Sequence, residues 1–237
     1  MLNILIPMSG RGQRFKDAGY VLPKPLIDVN GKPMIKRVVD NLNLVGRYIF
    51  LVLKEQYDDY NLKEVLSFTG AISSEIVIVD KVTDGAARTC LLAKHLIDND
   101  DQLVIANSDQ LVDWEPENFL EIMIKDAADG GILTFTAHES KWSFAKVMPQ
   151  TNIITEVAEK NPISNKATAG IYWFKHGRYF ASAAEQMINK NIRTNNEFYV
   201  CPIFNELIEL GHKICDYPIK SMTGLGTPED LEKFLYK

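Results

Sequence analysis

The sequence predicts an α/β protein, a three-layer sandwich around a mixed but mostly parallel central sheet. Two observations favour this class. In the first half of the chain, short apolar runs alternate with longer amphipathic segments, which is the pattern of parallel strands joined by helices on both faces of a sheet. From about residue 130 onward, successive apolar runs leave little room for helices between them, so antiparallel pairs are expected in the later part of the sheet.

The first half supplies the alternating elements. Apolar runs predict buried strands, and apolar residues at helical spacing predict helices. The strands are expected at Leu2–Pro7, Tyr48–Leu53, Glu75–Val79 and Leu103–Ala106, with helices at Met34–Leu44, Asn61–Phe68 and Gly85–Leu96.

The second half adds closely spaced strands and three helices. Strands are expected at Gly131–Thr136, Phe144–Val147, Ile153–Val157, Ala167–Phe174 and Lys213–Tyr217, with helices at Gly177–Asn189, Pro202–Leu210 and Pro228–Tyr236. No linker, repeat or charge block interrupts the pattern, so we expect one domain over residues 1–237.

Composition excludes several classes of function. The 237 residues are 46% hydrophobic and 24% charged, with a net charge of -5, which argues against a general binder of nucleic acid or membrane surfaces. The three cysteines, Cys90, Cys201 and Cys215, show no CxxC spacing and suit packing rather than a disulfide framework or a zinc site. Neither a signal peptide nor a membrane span is apparent, so we expect a cytoplasmic protein.

Polar segments follow three of the predicted parallel strands. They are the loop "SGRGQRF" after the first strand, "DKVTDGAA" after the third and "ANSDQ" after the fourth. In open sheets of this kind, ligands bind outside the carboxyl ends of the strands. These three segments therefore predict a ligand site.

The opening loop has the chemistry of an anion site. Gly10 and Gly12 allow backbone N–H groups to approach a phosphate closely, although a bare GxG also suits a tight turn. It is neither a Walker loop nor a Rossmann fingerprint, since Phe15 stands where the third glycine belongs. Prolines on both sides of Lys24 hold that cation in place. The cations of the segment are Arg11, Arg14, Lys16 and Lys24.

Asp109 is the candidate metal ligand. It comes just after a short apolar strand, where a carboxylate can reach a divalent cation bound to phosphates; turn or helix capping is the alternative role. The sequence shows no Ser-His-Asp or Cys-His arrangement for nucleophilic catalysis.

Five ordered segments resemble those of the sugar-phosphate nucleotidyltransferases. They are "SGRGQRF" with "LPKPLIDVNGKPMI", then "DGAART", "NSDQ", "VAEKNP" and "GTPEDLEKF", and the likeness covers nearly the whole chain. The resemblance implies a Rossmann-like, GT-A-like fold. Its N-terminal part would bind nucleotide, and roughly residues 130–220 would bind the acceptor.

The resemblance also implies an activity: transfer of a nucleoside monophosphate from an NTP to a phosphorylated sugar or sugar-like alcohol, with release of pyrophosphate. Such a reaction depends on positioning and electrostatics rather than on a protein nucleophile. By the same resemblance, Arg14 would grip the triphosphate, Lys24 would contact the α-phosphate and Asp109 would bind Mg²⁺. The other nucleotide-binding residues would be Met8, Ser9, Gly10, Arg11, Gly12, Asp80, Gly85, Ala86 and Ser108.

The acceptor would be bound by residues from the second half of the chain. Lys160 would contact its phosphate, and Glu159 would accept hydrogen bonds from its hydroxyl groups. Packing is the alternative role for Glu197 and Tyr199. The acceptor-binding residues are Glu159, Lys160, Gly170, Glu197 and Tyr199. The implied partners are an NTP and a phosphorylated small molecule, without nucleic acid or membrane, and a homodimer is one assembly left open.

The chain departs from the family pattern at two informative positions. Gly224 stands where members with a second metal carboxylate usually carry it, so the metal would be held by Asp109, phosphate oxygens and water, or by a carboxylate that the sequence does not identify. Asp80 stands where many thymidylyl and uridylyl enzymes have glutamine. A carboxylate can accept a hydrogen bond from the amino group of cytosine or guanine, and we expect CTP as the nucleotide donor. By the family resemblance we also expect a role in making surface-polysaccharide precursors.

Two other functions compete with this prediction. A glycosyltransferase that uses nucleotide sugars has a similar fold, but it usually needs Asp-x-Asp for its metal, and "NSD" supplies one carboxylate. A catalytically inactive, nucleotide-sensing subunit would explain Gly224 but not the retained Arg14, Lys24, Asp109 and Lys160.

Overall fold

The strands and helices alternate along the chain much as predicted. A computed structural model describes residues 1–67 and 73–236. Its strands are β1 Leu2–Pro7, β2 Arg47–Leu53, β3 Ser73–Val79, β4 Gln102–Ala106, β5 Gln110–Val112, β6 Gly130–Thr136, β7 Ser143–Val147, β8 Ile154–Glu159, β9 Lys166–Phe174, β10 Ile214–Pro218 and β11 Met222–Gly224. Its helices are α1 Gln13–Asp17, α2 Met34–Leu42, α3 Lys54–Asp59, α4 Leu62–Ser67, α5 Ala86–Leu91, α6 Lys94–Ile97, α7 Pro116–Lys125, α8 Gly177–Asn189, α9 Ile203–Glu209 and α10 Pro228–Leu235.

The central sheet is mixed and mostly parallel, as the sequence predicts. Its strands lie in the order β10-β6-β9-β4-β1-β2-β3. The pairs β4-β1, β1-β2, β2-β3 and β10-β6 are parallel, whereas β9 is antiparallel to both β4 and β6. The β7-β8 hairpin joins the sheet through β9. The short connection between β7 and β8, residues 148–153, requires that pair to be antiparallel, because a parallel crossover needs a longer segment.

The sheet is buried on both faces, which makes three layers. In β4, Leu103 and Ile105 lie in the core cluster that contains residues of α5, α8 and α9. Val104 and Ala106 lie in the opposite cluster, with residues of α2, α4 and α7. Successive side chains of a strand point to opposite faces, so burial on both sides gives the continuous apolar run seen in the sequence. All three cysteines are buried in these clusters: Cys90, Cys201 and Cys215.

Several elements differ from the predictions. The helix expected at Gly85–Leu96 is divided into α5 and α6, because the N–H groups of Leu92 and Ala93 bond to carbonyls three residues back and tighten the chain. The helix expected to reach Leu44 ends at Leu42, where Asn43 adopts φ 47°. The elements that were not predicted are α1, α3, α7, β5 and β11. Phe68, the expected end of the helix that begins near Asn61, lies outside the described residues.

A small ribbon brings the C-terminal segment to the end of β4. In this ribbon β5 pairs antiparallel with β11, so that Gly224 lies opposite Gln110. The N–H of Leu225 then donates to the carbonyl of Asp109 at 2.7 Å. The loops after β1, β3 and β4 meet at the same edge, since the four strands β3, β2, β1 and β4 run parallel. Among the described helices, none is long and apolar enough to cross a membrane.

Candidate functional site

Two adjoining cavities open at the carboxyl ends of β1 and β4. The larger has a volume of about 380 Å³, the smaller about 220 Å³, and Ala86 lines both. The smaller cavity is lined by the loops after β1 and β3 together with Ser108 and Glu197. The larger is lined by residues of β7, β8 and β9, by Asp109 and Arg14, and by the segment that leads into α10. The loop after β4 contributes to both cavities, through Asn107 and Asp109 in the larger and Ser108 in the smaller.

The glycine-rich loop after β1 forms one wall of the smaller cavity. Gly12 has φ 62°, in the left-handed region that glycine tolerates best. A Cβ at this position would lie 3.2 Å from the Cβ of Lys24, so glycine also allows the loop to approach that lysine closely. The buried Gln56 side chain donates to the Gly10 carbonyl at 3.1 Å and helps to fix the loop.

Lys24 and Asp109 form an ion pair between the two cavities. Lys24 Nζ lies 2.8 Å from Asp109 Oδ2, and the two side chains are 22% and 26% exposed. Lys24 lines the smaller cavity and Asp109 the larger. Lys24 lies between two prolines: Pro23 has an extended backbone, and the buried Pro25 belongs to the short 3₁₀ turn, Lys24–Leu26, that Lys24 begins. Residues 85 positions apart in sequence thus place a cation and a carboxylate at the junction of the cavities.

The segment around Gly226 leaves room for the Asp109 carboxylate. A Cβ at Gly226 would lie 2.8 Å from Asp109 Oδ2, closer than real Cβ contacts allow. No group of three or more His, Cys, Asp or Glu side chains in the described residues is arranged to hold a metal ion. Magnesium suits such a place, since it is often bound through one or two carboxylates, substrate phosphates and water. The donor chemistry at Asp109 therefore fits a hard divalent cation bound together with a phosphorylated ligand.

A hydrogen-bonded chain of side chains lies beside the larger cavity. Lys160 Nζ donates to the Tyr199 hydroxyl at 2.6 Å, and that hydroxyl donates to Glu197 at 2.5 Å. Burial, and then the hydrogen bond to Glu197, raise the pKa of Tyr199 above its usual range. Lys160 follows β8 with φ 54°, an uncommon conformation for a lysine, and such backbone strain is frequent at ligand sites.

Glu159, the last residue of β8, lies beside this chain in the larger cavity. Ser143 of β7 donates its hydroxyl hydrogen to the Glu159 carboxylate. Burial raises the pKa of Glu159 above its ordinary value, against the opposing effects of the Ser143 hydrogen bond and the Lys160 charge. A carboxylate so placed is able to accept hydrogen bonds from a ligand's hydroxyl groups.

Two other glycines explain how the site is assembled. Gly85 has φ 127°, and a Cβ there would lie 2.3 Å from the carbonyl oxygen of Phe198. Phe198 bonds through its backbone to Asp84 at 2.8 Å and to Ala87 at 3.0 Å, so the loop after β3 is joined to residues 197–201. Gly170 has φ 66°, and a Cβ there would meet the side-chain amides of Asn107 and Gln110 within 2.6 Å. Gly170 thus makes room for polar side chains in the cavity wall.

The structure brings most of the predicted site residues together. The smaller cavity contains Met8, Ser9, Gly10, Gly12, Lys24, Gly85, Ala86 and Ser108, and also Glu197, which was expected on the acceptor side. The larger contains Arg14, Ala86, Asp109, Glu159, Lys160, Gly170 and Tyr199. Arg11 and Asp80 are exposed and do not belong to the described residues that line either cavity.

Several residues that line the cavities were not among those predicted from the sequence. Thr83 and Thr89 share a hydrogen bond of 2.6 Å at the smaller cavity, and both lie in or next to the segment "DKVTDGAA" that the sequence singles out. Lys141 and Trp142 precede β7 and line the larger cavity, where Lys141 Nζ lies 4.5 Å from the centre of the indole ring. Asp230 lines the larger cavity from α10.

The chain matches the model of a known protein family and resembles several curated proteins. The model of the family described as "Nucleotidyl transferase" matches residues 4–233. The chain is 26% identical over 179 residues to the bifunctional protein GlmU of Methanococcus aeolicus, covering 74% of this chain and 40% of that protein. It is 28% identical over 180 residues to a mannose-1-phosphate guanyltransferase of Yarrowia lipolytica, covering 71% and 48%. The aligned region therefore spans less than half the length of these curated relatives.

Solved structures show the same fold. A nucleoside-diphosphate-sugar pyrophosphorylase from Vibrio cholerae RC9 superposes with a TM-score of 0.84 at 25% identity, covering 99% of this chain and 100% of that one. The inositol-1-phosphate CTP transferase from T. maritima shares the fold, with a TM-score of 0.75 at 15% identity over 99% and 95% of the two chains. These likenesses confirm the predicted Rossmann-like fold. With the match over residues 4–233, they confirm the resemblance seen in the sequence: the chain belongs to the nucleotidyl transferase family.

Proposed function

We propose that this chain transfers a nucleoside monophosphate from an NTP to a phosphorylated sugar or sugar-like alcohol and releases pyrophosphate. The observation that carries the proposal is the Lys24–Asp109 pair, with 2.8 Å between Nζ and Oδ2, at the junction of the two cavities. A cation at this junction lies where the phosphates of two bound substrates would meet, and a carboxylate beside it is able to bind their counter-cation.

The reaction requires one bond to form and one to break. A phosphate oxygen of the acceptor bonds to the α-phosphorus of the NTP while the bond from that phosphorus to the pyrophosphate oxygen breaks. Both substrates are anions, so the protein must overcome their repulsion and stabilise the charge that develops on the phosphoryl oxygens. In this proposal Lys24 donates to the α-phosphate, and its present bond to Asp109 is exchanged for that contact.

Nucleotide binding is assigned mainly to the smaller cavity and to residues before about 130. The glycine-rich loop presents backbone N–H groups to phosphates. Arg14 reaches the larger cavity, where its guanidinium would neutralise phosphate charge shared by the two substrates. Asp109 would bind Mg²⁺, and the ion, when bound, supplies positive charge to the phosphates.

Acceptor binding is assigned to the larger cavity and to roughly residues 130–220. Lys160 is held toward the cavity by its contacts with Tyr199, 2.6 Å from the hydroxyl and 4.6 Å from the ring centre. There it would bind the acceptor phosphate. Glu159 would accept from acceptor hydroxyls. The names of the relatives support a sugar phosphate as acceptor, since one is a mannose-1-phosphate guanyltransferase.

The identity of the base and the biological role remain sequence-based predictions. The expected preference for CTP depends on Asp80, which is exposed at the end of β3. In the structure it is Val82, Thr83, Gly85 and Thr89 that line the smaller cavity from this part of the chain. The proposed use of the product in surface-polysaccharide precursors follows from the family resemblance.

A substrate screen tests the proposal. Pyrophosphate release is measured with each of the four NTPs against phosphorylated sugars, alditols and amino alcohols, with Mg²⁺ and with a chelator. We expect one donor–acceptor pair to give pyrophosphate and nucleotidyl product in equal amounts, and the chelator to stop the reaction. Free nucleoside diphosphate formed from a nucleotide sugar would instead show a glycosyltransferase. Nucleotide binding without turnover of any pair would favour the sensing subunit.

A further inference from the structure

A carboxylate of another residue lies near Gly224, the position where the family resemblance would place a second metal ligand. A Cβ at position 224 would have Trp142 at 3.6 Å and Asp230 Oδ2 at 3.8 Å as its nearest neighbours. An aspartate at 224 would extend its own carboxylate into this space. Asp230 therefore presents a carboxylate from α10 close to where residue 224 would present one.

Local structure holds Asp230 in this position. Asp230 is the third residue of α10, and its N–H donates to the Thr227 side chain at 3.1 Å, which caps the helix. Leu225 and Leu231 are fully buried in one cluster and anchor the two ends of the turn. The Leu225 N–H also donates to the Asp109 carbonyl. The short segment 225–230 is therefore hydrogen-bonded to Asp109 and itself contains Asp230.

The orientation of the Asp230 side chain differs from that of a simple capping residue. In a capping box, the carboxylate of the third residue accepts from the backbone N–H of the cap. Here Oδ1 lies 3.8 Å from Lys141 Nζ, while Oδ2 faces position 224. Asp230 is 24% exposed and lines the larger cavity together with Asp109.

Each of the two carboxylates therefore faces a lysine, Asp109 facing Lys24 and Asp230 facing Lys141. Two ammonium groups carry the same charge as one divalent cation. A divalent cation bound between the carboxylates would neutralise them in place of the two ammonium groups, and both lysines would then be able to contact phosphate groups. Two carboxylates with phosphate oxygens and water are a ligand set that suits Mg²⁺.

We propose that Asp230 is the second protein ligand of the metal and replaces the carboxylate absent at Gly224. This inference depends on the proposed function, because it concerns the metal that nucleotidyl transfer would use. It predicts that Asp230, rather than a residue of β11, determines metal affinity together with Asp109.

Mn²⁺ alone is the probe, and the protein-bound fraction is measured by electron paramagnetic resonance. We expect Asp230→Asn to weaken Mn²⁺ binding at least tenfold and Asp109→Asn to do the same. Glu229→Gln is the matched control, because Glu229 is an exposed carboxylate one residue away in the same helical turn. It should change the affinity less than twofold. Thermal unfolding of each variant checks that the fold is kept.

A rescue variant separates ligation from a capping role. A Cβ at position 224 would meet its neighbours only at ordinary contact distance, so Gly224→Asp combined with Asp230→Asn should restore Mn²⁺ affinity to within about threefold of the wild type. Affinity unchanged in Asp230→Asn, or no recovery in the double variant, would overturn the role of Asp230. Failure to bind Mn²⁺ in the wild type would overturn the metal site as a whole. Pyrophosphate release, measured separately, decides the proposed function.

Discussion

Replacing Lys24 by alanine should abolish most turnover while leaving the protein folded and able to bind nucleotide. The variant removes the ammonium group that lies 2.8 Å from Asp109 at the junction of the cavities. In the proposed reaction this ammonium group contacts the α-phosphate, whose phosphorus bonds to the acceptor oxygen as its bond to pyrophosphate breaks. Its loss should therefore affect the transition state more than the bound substrates.

The expected losses of stability and of catalysis differ in size. Both members of the ion pair are about one-quarter exposed, and such pairs contribute roughly 0–1 kcal/mol to folding. For a chain of this size that corresponds to a melting temperature lowered by at most about 4 °C. Removal of one preorganised donor to developing charge typically costs about 10²–10³ in kcat, or about 3–4 kcal/mol. The loss of transition-state stabilisation, in kcal/mol, should thus be several times the loss in the free energy of folding.

The assay compares kcat for pyrophosphate release with the dissociation constant for the NTP. We expect kcat to fall at least 100-fold, by the same principle, while the dissociation constant rises less than about tenfold, because the glycine-rich loop and Arg14 remain. Lys16→Ala is the matched control, since Lys16 is an exposed cation of the nearby helix α1 and lines a separate hollow with Glu55 and Asp59. Unchanged turnover in Lys24→Ala, or an equal loss in Lys16→Ala, would refute the role given to Lys24.

Three further outcomes follow from the site. Gly226→Ala places a Cβ 2.8 Å from Asp109 Oδ2, and the displaced carboxylate should lower kcat about tenfold or more while the melting temperature stays within a few degrees, as kinetics and thermal unfolding would show. Lys160→Ala should raise KM for the phosphorylated acceptor by about 10–100-fold, the cost of a lost charged hydrogen bond, but leave KM for the NTP nearly unchanged in steady-state assays. Because burial raises the pKa of Glu159 in the folded state, unfolding releases protons between the ordinary and the raised pKa, and this residue lowers stability as pH rises through that window. The free energy of unfolding of Glu159→Gln should equal that of the wild type below pH 4.5, the ordinary pKa of glutamate, and should exceed it at higher pH. This free energy is measured by urea unfolding at several pH values, and a difference between the two proteins that does not change with pH would contradict the assignment.

Local patterns were enough to predict most of the sheet and the loops of the candidate site. A strand such as β1, buried on both faces, must be apolar at successive positions, and this run is visible without the structure. The helix α8 was predicted with both ends correct, because its apolar spacing extends over 13 residues. Short elements were missed: β5 and β11 have three residues each and depend on pairing across more than 100 positions.

The sequence by itself determined the fold class, the family resemblance and the positions of the loops that follow β1, β3 and β4. These properties depend on hydrophobic periodicity and on residue types close together in the chain. Only the tertiary structure decided that Lys24 pairs with Asp109, that Asp80 is exposed outside the cavities, and that Asp230 faces the space beside Gly224. Each of these relations depends on how distant segments approach one another, and that approach is set by sheet order and packing, which no local pattern contains.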